Sequence, residues 1–398
     1  TGFVSKGATV TPVLSRGFET SEYEARLQRV QGRMGDAHLD GILLTTEPEV
    51  RYFTGFFTQF WESPTRPWFV IVPLSGKPIA VIPEIGVSGM AATWVDDIHT
   101  WPAPRPEDDG ISLLGSVIDG LPRRHGRLGV PLGHESILRM PLGDYQKLLD
   151  GLMGLEIIDV SEMLHQIRFI KSPVEIAKIA HVCELTSDAF EALPASMALG
   201  ESERQICQRM RIDLLRRGAD TTPYIISGSG PGGYDSIIMG PTDRIQETGD
   251  VLIIDTGTTF DGYFCDFDRN FAFGTADDAV RRAYDVVFAA TGAGFAAARP
   301  GATTSDVWAA MWRVMEDGGA LGNSVGRLGH GLGMQLTEWP SNTADDHTQL
   351  VPGAVITLEP GMEFAPGKQM VHEENIVITE SGAEWISRRA PAELPVIT

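Results

Sequence analysis

Cysteines and basic residues are scarce in this chain of 398 residues. The three cysteines, Cys183, Cys207 and Cys265, are too far apart for a disulfide framework or a zinc cluster. We expect them to be reduced, buried thiols of a cytoplasmic protein. Only 32 lysines and arginines stand against 53 aspartates and glutamates, which gives a formal net charge of -21. A surface of that sign repels nucleic acid and anionic membranes, so neither is expected as a partner.

Long apolar segments are absent as well. Residues 1–10 have no apolar core of signal-peptide length, and no apolar run approaches the roughly 20 residues that span a bilayer. We therefore expect an intracellular, cytoplasmic protein that does not bind membranes. Its hydrophobic content of 42% is sufficient for two buried cores, and its length predicts two domains.

The first part of the chain alternates apolar strands with helical stretches. Ser21 and Glu24 match an S-x-x-E capping box ahead of a helix that extends to about Met34. This alternation predicts an α/β domain. The predicted strands lie near residues 41–46, 68–74, 78–84, 126–130 and 155–160.

The sequence pattern changes near Ile170, which divides the chain into residues 1–170 and 171–398. Pro173 begins a helix whose apolar residues recur at helical spacing. A second amphipathic helix follows and ends at Gly218. Strand-rich blocks and one further helical region, about 276–319, make up the remainder. The second domain is therefore predicted to be α+β.

Two aspartates fall in consecutive apolar strands of that domain. Asp255 is embedded in VLIIDTG, where an ionised carboxylate is costly unless another group compensates it. If residues 259–262 form a four-residue hairpin loop, Asp255 lies directly opposite Asp266, with Cβ atoms about 5 Å apart. Carboxylates that close repel each other unless a cation lies between them. Taken singly, each has a simpler structural role, such as capping a turn or pairing with Arg269.

Three further donors lie at the ends of apolar segments: His330 in GRLGHGLG, Glu359 after VITL and Glu373 before NIVIT. Each alone has an ordinary interpretation as a core histidine or a solvated strand end. Together with the two aspartates they form a hard, oxygen-rich ligand set that suits manganese, iron, cobalt or zinc. Two such ions lower the pKa of a bridging water enough to give hydroxide near neutral pH. The sequence therefore predicts a site for two divalent metal ions that activates water.

The order of these motifs resembles the pita-bread, M24-type metallohydrolases, which include creatinase, aminopeptidase P and prolidase. The resemblance implies an α/β creatinase-like N-terminal domain followed by an α+β pita-bread catalytic domain. It covers nearly the whole chain, from about Ser21 onward. The matching motifs are VRYFTGF (50–56), IRFIKSPVEIAKI (167–179), D-x-G (255–257), D-x-x-R (266–269), GHGLG (329–333), LEPGM (358–362) and EENIVIT (373–379).

The resemblance also implies roles for the five donors. Asp255, Asp266 and Glu373 are carboxylates shared between the two metals, whereas His330 and Glu359 complete the coordination of one metal. Glu359 is in addition the proton shuttle. The implied activity is hydrolysis of an amide-type bond in a small substrate, in the manner of Xaa-Pro dipeptidases and aminopeptidases. The habit of the creatinase branch implies a homodimer.

The segment HEEN (372–375) contains two adjacent glutamates, and the last metal ligand has to be assigned to one of them. Counting back six residues from Thr379 assigns the ligand to Glu373. Glu374 then points to the other face of the strand, because successive side chains alternate.

Two histidines that position substrate and move protons in the peptidases of this family are absent. Ile238 or Met239 occupies one of these positions and Thr337 the other. Positioned proton transfer contributes typically about 10²–10⁴-fold to a rate. Their absence leaves open a second hypothesis, a non-peptidase that acts on a small zwitterion at the same metals. A catalytically silent binding module is a third.

A local similarity to the dimethylsulfoniopropionate lyase of this fold supports the second hypothesis. The position of that lyase's base is Leu336 here, so Glu338, the only nearby carboxylate, is the candidate base. The D-x-D start of the lyase motif is D-x-G in this chain. The similar stretches are TQFWESPTRPWF (58–69), MGPTDRIQ (239–246) and TEWP (337–340).

Candidate substrate-binding residues come from both domains. Trp61 and Arg66, near Trp68, lie on a loop that in this family can reach the partner subunit's site. An arginine flanked by aromatic residues suits a small substrate with a carboxylate, although core packing and a solvated surface explain these residues equally well. The further candidates are Tyr234, Arg327 and Thr337.

Overall fold

The computed structural model describes residues 14–398. Its first part is built on one mixed six-stranded sheet of order β4-β3-β2-β1-β5-β6. The strands are β1 (Gly41–Leu44), β2 (Phe69–Pro73), β3 (Ile79–Pro83), β4 (Asp97–Trp101), β5 (Arg127–Val130) and β6 (Glu156–Asp159). The helices are α1 (Thr20–Asp36), α2 (Glu47–Thr54), α3 (Val87–Ala91), α4 (Ile111–Asp119), α5 (Leu142–Gly151) and α6 (Ser161–Phe169).

Alternation along β2 explains why this sheet is covered on both faces. Val70 and Val72 belong to one hydrophobic cluster, whereas Phe69 and Ile71 belong to another. The five predicted strands are confirmed as β1, β2, β3, β5 and β6. β4 was missed, since its sequence DIHTW is polar and largely part-exposed.

The predicted capping box at the start of α1 is wrong. The helix begins at Thr20, so Ser21 is already helical, and Glu19 at the cap makes no side-chain hydrogen bond to the helix. Phe18 instead fixes the preceding chain, because its ring packs edge-on against Tyr23 and Tyr263. Packing against the second domain, rather than a cap, sets the start of this helix.

The second part contains helices α7 (Pro173–Ala192) and α8 (Glu203–Arg217) followed by strands and two more helices. Capping boxes begin both helices, and Gly218, at φ +111°, ends α8 as predicted. The predicted helical region 276–319 consists of two helices. The elements are β7 (Thr221–Pro231), β8 (Asp250–Phe260), β9 (Tyr263–Phe264), β10 (Phe267–Phe273), α9 (Asp278–Ala297) and α10 (Thr304–Asp317).

Two sheets and a short ribbon organise this part of the chain. The remaining strands are β11 (His330–Gly331), β12 (Glu338–Ser341), β13 (Val355–Leu358), β14 (Gly361–Ala365), β15 (Lys368–Val371), β16 (Glu374–Thr379), β17 (Gly382–Trp385) and β18 (Val396–Ile397). One sheet has the order β18-β10-β8-β7 with β9 paired to β8, the other has the order β12-β11-β13-β16-β17, and β14 pairs with β15 in the ribbon.

A buried polar network joins the two parts. Arg26 of α1 lies 3.4 Å from the Glu175 carboxylate of α7 and donates to the Tyr52 carbonyl at 2.9 Å. The Tyr263 hydroxyl donates to Glu175 at 2.9 Å. Arg26 is fully buried and Glu175 nearly so. Because a charge left alone in such a place is costly, each member of the pair depends on the other.

Replacing Arg26 with Met leaves Glu175 buried without its cation. We expect the free energy of unfolding to fall by about 3–5 kcal/mol, measured by urea denaturation of the full chain. Arg216→Met is the control, since Arg216 is exposed on α8 and takes no part in this network. The control should change stability by less than about 0.5 kcal/mol. Equal effects of both variants would contradict the structural role of Arg26.

Candidate metal centre

The hairpin that holds the two aspartates is tighter than predicted. Phe260 pairs with Tyr263, so the turn has only two residues, Asp261 and Gly262. Both have positive φ, +50° and +81°, as in the turns that suit right-handed strand twist. The predicted four-residue loop is wrong, and Asp255 lies directly opposite Asp268 rather than Asp266.

The error in register shifts the pairing by two residues, which leaves every side chain on its predicted face. Asp266 is therefore a diagonal neighbour of Asp255 on the same face of the hairpin. The physical reason for the tight turn lies in tertiary contacts. The Asp261 carboxylate binds Lys178 of α7 and, at 3.0 Å, Arg51 of α2.

Five side chains gather in two groups that share one member. Ligand atoms of Asp266, His330 and Glu359 lie within 4.8 Å of one another, and so do those of Asp255, Asp266 and Glu373. His330 Nε2 lies 2.9 Å from Glu359 Oε1 and 3.2 Å from Asp266 Oδ2. Each group could hold one metal ion, with Asp266 placed between the two.

Backbone contacts and one threonine orient the imidazole. His330 Nδ1 lies 2.8 Å from the Gly331 carbonyl, which directs Nε2 to the carboxylates. Thr357 of β13 accepts the His330 N–H at 2.9 Å and donates to the Glu359 carboxylate. Gly329, at φ +125°, lies so close to β13 that a Cβ there would be 2.2 Å from the Thr357 carbonyl. The GHG sequence is thus required for the close approach of the two strands.

Electrostatics indicates that the cluster needs a cation. Burial and neighbouring carboxylates raise the pKa values of Asp255 and Glu373 well above their ordinary range. Burial likewise raises the pKa of Asp266 to about 6. Asp255 Oδ1 is shielded from solvent and has no hydrogen-bond partner among the described residues. Oxygen-rich donors with an orphaned carboxylate oxygen fit hard divalent ions.

His330 and Glu359 stabilise each other's charges. Burial opposes protonation of the imidazole, but Glu359 and Asp266 outweigh it and raise the pKa of His330 to about 10. Burial opposes ionisation of Glu359, yet the adjacent His330 lowers its pKa. A metal bound at Nε2 would take the place of the proton on this ring.

Asp268 is a buried carboxylate of this region that the sequence reasoning missed. It is fully buried, and its Oδ1 accepts the Glu373 N–H at 3.2 Å. His372 Nδ1 lies 3.9 Å from the same oxygen. The D-F-D alternation in YFCDFDR places Asp266 and Asp268 on one face of β10 and was the available signal.

Glu374 lies on the opposite side of the strand from its neighbour Glu373. It pairs with Arg269 at 3.3 Å and accepts the Ala390 N–H at 2.8 Å. Burial opposes its ionisation, but Arg269 outweighs that effect, and the pKa of Glu374 falls to about 2. This glutamate is bound to a permanent cation rather than to the ligand cluster.

Glu338, expected as a candidate base, is placed in a buried ion-pair cluster. It binds Arg168 and lies 3.0 Å from Lys171 Nζ. Burial opposes its ionisation, but the two cations outweigh it and lower the pKa of Glu338 to about 2. A carboxylate so strongly held as an anion is a poor proton acceptor. The two ion pairs connect α6 and the following linker to β12. This position argues against the prediction that Glu338 is a catalytic base.

Arg327 lies beside the ligand cluster and lines an open cavity of about 610 Å³ together with Glu359 and Ile238. Its guanidinium donates to the Thr337 hydroxyl at 3.1 Å and lies 3.7 Å from Glu135 of the first domain. Ile238 is 78% exposed in this cavity. The mouth of the site thus combines one cation with an apolar side chain.

The remaining candidates lie elsewhere. Tyr234 is buried, donates to Asn270 at 2.9 Å and accepts the Val371 N–H at 2.8 Å, so it braces the sheet. Trp61 packs against Trp68 with ring centroids 6.2 Å apart. The guanidinium of Arg66 lies over Phe60 at 5.0 Å. None of these side chains lines the cavity that contains Glu359.

The sequence model described as metallopeptidase family M24 matches residues 177–380, and the creatinase/prolidase N-terminal domain model matches residues 26–170. This chain belongs to metallopeptidase family M24. It is 28% identical to the probable dipeptidase PepE of Mycobacterium tuberculosis, over 96% of this chain and 99% of that protein. It is also 28% identical to the Xaa-Pro dipeptidase of Pyrococcus horikoshii, over 91% of this chain and 97% of the relative.

Solved structures have the same two-domain architecture, as the resemblance implied. The crystal structure of dipeptidase PepE from Mycobacterium ulcerans superposes with a TM-score of 0.83 at 28% identity, covering 96% of this chain and 100% of that one. The prolidase of Thermococcus sibiricus gives a TM-score of 0.85 at 23% identity with the same coverage, a likeness of fold. Among residues 14–398, no helix is both long and apolar enough to cross a bilayer.

Replacing Glu338 with Gln leaves two buried cations without their anion. The pKa of Glu338 is about 2, against an ordinary value of 4.5, so its ionised form stabilises the fold above pH 4.5. That contribution, about 3 kcal/mol, disappears as the pH falls from 4.5 through 2. We expect Glu338→Gln to lower the free energy of unfolding by about 3–5 kcal/mol at pH 7, measured by urea denaturation.

The exposed Glu384 provides the control, and Glu384→Gln should leave stability nearly unchanged. The difference between the Glu338 variant and the wild type should shrink as the pH approaches 2. A Glu338→Gln protein that keeps full stability at pH 7 but loses activity would restore Glu338 as a base.

Proposed function

We propose that this chain is a dipeptidase of the Xaa-Pro type that works with two divalent metal ions. The observation that carries the proposal is the pair of ligand groups that share Asp266. Relatives that align with almost the whole chain are named probable dipeptidase and Xaa-Pro dipeptidase. A dipeptide is therefore the proposed substrate, a homodimer the proposed assembly and the cytoplasm the proposed location.

In this proposal the donors of one metal are Asp266, His330 and Glu359, and those of the other are Asp255, Asp266 and Glu373. Manganese, iron, cobalt and zinc all suit such a donor set. When bound, the two ions acidify water and polarise the scissile carbonyl. The five side chains are held before any substrate arrives, because most of them are buried and anchored to strands.

Glu359 is the proposed proton acceptor. Its Oε1 is held by His330 and Thr357, and its side chain lines the open cavity, so a substrate there reaches it. Unlike Glu338, Glu359 has no arginine or lysine within 4.0 Å among residues 14–398, so its carboxylate can accept a proton from the attacking water. It can then deliver that proton to the leaving nitrogen.

Arg327 is the proposed anchor for the substrate's carboxylate. Its side chain is 29% exposed toward the cavity, and its nearest acid, Glu135, is 3.7 Å away. A guanidinium forms directed, charge-assisted hydrogen bonds to a carboxylate. The exposed Ile238 opposite offers an apolar contact for the substrate's side chain.

The lyase alternative is weakened by the position of Glu338, which two cations hold as an anion. The two family histidines are absent at Ile238 or Met239 and at Thr337, but all five proposed metal donors are present. Thr337 binds Arg327 and so helps to hold it at the cavity. We therefore infer that positioning by Arg327 and proton transfer by Glu359 sustain hydrolysis in this chain.

Asp255→Asn should reduce both metal content and activity. The amide removes the charge of one donor, and we expect loss of one or both ions by elemental analysis and at least a 10²-fold lower rate, as for loss of a positioned catalytic group. Asp243→Asn is the control, because Asp243 is 83% exposed and, within residues 14–398, pairs only with Arg204. An unchanged rate and metal content in Asp255→Asn would support a silent binding module instead.

Xaa-Pro dipeptides should be hydrolysed by the metal-loaded enzyme. Arg327→Met should raise KM and lower kcat/KM by about 10–100-fold, because a hydrogen bond to a charged group contributes about 1.5–3 kcal/mol. Turnover is measured by release of free proline across a panel of dipeptides with and without proline. Metal-loaded protein that hydrolyses none of the dipeptides would refute the peptidase proposal while leaving the metal site intact.

A further inference from the structure

A second cavity lies behind the candidate metal centre. We call it the rear cavity, and its volume is about 290 Å³. Asp266, just before β10, and Asp268 face the ligand cluster, whereas Arg269, the residue after Asp268, points to the other side and lines the rear cavity. The C-terminal end of α7, Tyr284 of α9 and the C-terminal segment close it. The principal wall residues are Phe190, Arg269, Phe271, Tyr284, Arg388 and Arg389.

Three arginines line this cavity, and two of them already have acidic partners. Arg388 binds Asp188 and lies 2.7 Å from Glu184 and 2.9 Å from Glu191. Arg269 pairs with Glu374 at 3.3 Å. These two charges are therefore compensated within the chain.

Arg389 is different, because no carboxylate among residues 14–398 lies within 4.0 Å of its guanidinium. One nitrogen donates to the Phe288 carbonyl at 2.9 Å, and Nε is shielded from solvent without a hydrogen-bond partner. The guanidinium lies 4.0 Å from the Phe288 ring centroid and 4.8 Å from that of Trp385. These rings fix its position, and Glu374, the acid that acts on its charge from beyond 4.0 Å, already pairs with Arg269.

The rest of the cavity wall is mostly apolar and suits a ligand with an apolar body. Phe190, Phe271 and Tyr284 present ring surfaces, and Pro194, Pro391 and Pro395 add apolar contacts. Among the described wall residues only Glu191 is acidic, and it is engaged by Arg388. A ligand here gains from one negative charge and from an apolar body, and a positive charge on it finds no free partner.

We propose that the rear cavity binds a small carboxylate with a flat apolar body, whose oxygens pair with Arg389. An inorganic anion satisfies the same charge but leaves the apolar wall uncovered, so it should bind more weakly. The site is distinct from the metal donors, from which the backbone of β10 separates it. The proposal does not depend on the peptidase activity.

The test uses 4-bromobenzoate as the probe and the full-length, metal-loaded protein. Affinity is measured by titration calorimetry, and bromine is located by anomalous diffraction from soaked crystals. We expect a bromine peak in the rear cavity and at least tenfold weaker binding there in Arg389→Met. Arg282→Met is the matched control, because it removes the same charge from the exposed side of α9 and should bind the probe like the wild type.

Two comparisons keep the proposal testable if Arg389→Met folds poorly. Arg389→Lys retains the charge and should bind the probe less tightly than the wild type but more tightly than the Met variant. On the wild-type protein, 4-bromobenzamide, the neutral isostere, should bind at least tenfold more weakly. Bromine found only at the metals, equal binding of acid and amide, or unchanged affinity in both Arg389 variants would overturn the proposal.

Discussion

Mutual repulsion among buried carboxylates is the constraint on which this structure depends. Asp255, Asp266, Glu359 and Glu373 converge on one small volume, and Asp268 lies just behind them. Burial and proximity raise the pKa values of three of the four converging groups, so the fold holds them together against their electrostatic preference. Strands that are buried on both faces supply the rigidity, and divalent cations bound at the cluster would remove the repulsion.

Strand alternation separates two electrostatic environments in this domain. On β10 the aspartates face the cluster while Arg269 faces the rear, and at the start of β16 Glu373 faces the cluster while Glu374 meets Arg269. These two ligand-bearing segments are thus backed by one ion pair, Arg269–Glu374. The arrangement keeps Arg269 away from the donors, where it would compete with a metal, and leaves Arg389 without a carboxylate within 4.0 Å among the described residues.

The fold and the donor set were predictable for a common reason, which is that both depend on local pattern. Apolar runs predicted five strands of the first sheet, and short motifs selected the five side chains that the structure gathers in two groups. The hairpin at Asp255 shows the limit of such reasoning. A loop of four residues and one of two are both compatible with the sequence, and the tighter turn is decided by contacts of Asp261 with Lys178 and Arg51 from distant helices.

The sequence by itself determined the two-domain architecture and the residue types at the site, because periodicity and motif spacing can be recognised without knowledge of long-range contacts. Only the tertiary structure decided what Glu338 and Arg389 do. Lys171, a partner of Glu338, is 167 residues away along the chain. The walls around Arg389 come from segments as distant as α7 and the C-terminal strand region. Whether a charged side chain is compensated depends on which groups the folded chain brings within a few ångströms, and that proximity cannot be read from order along the sequence.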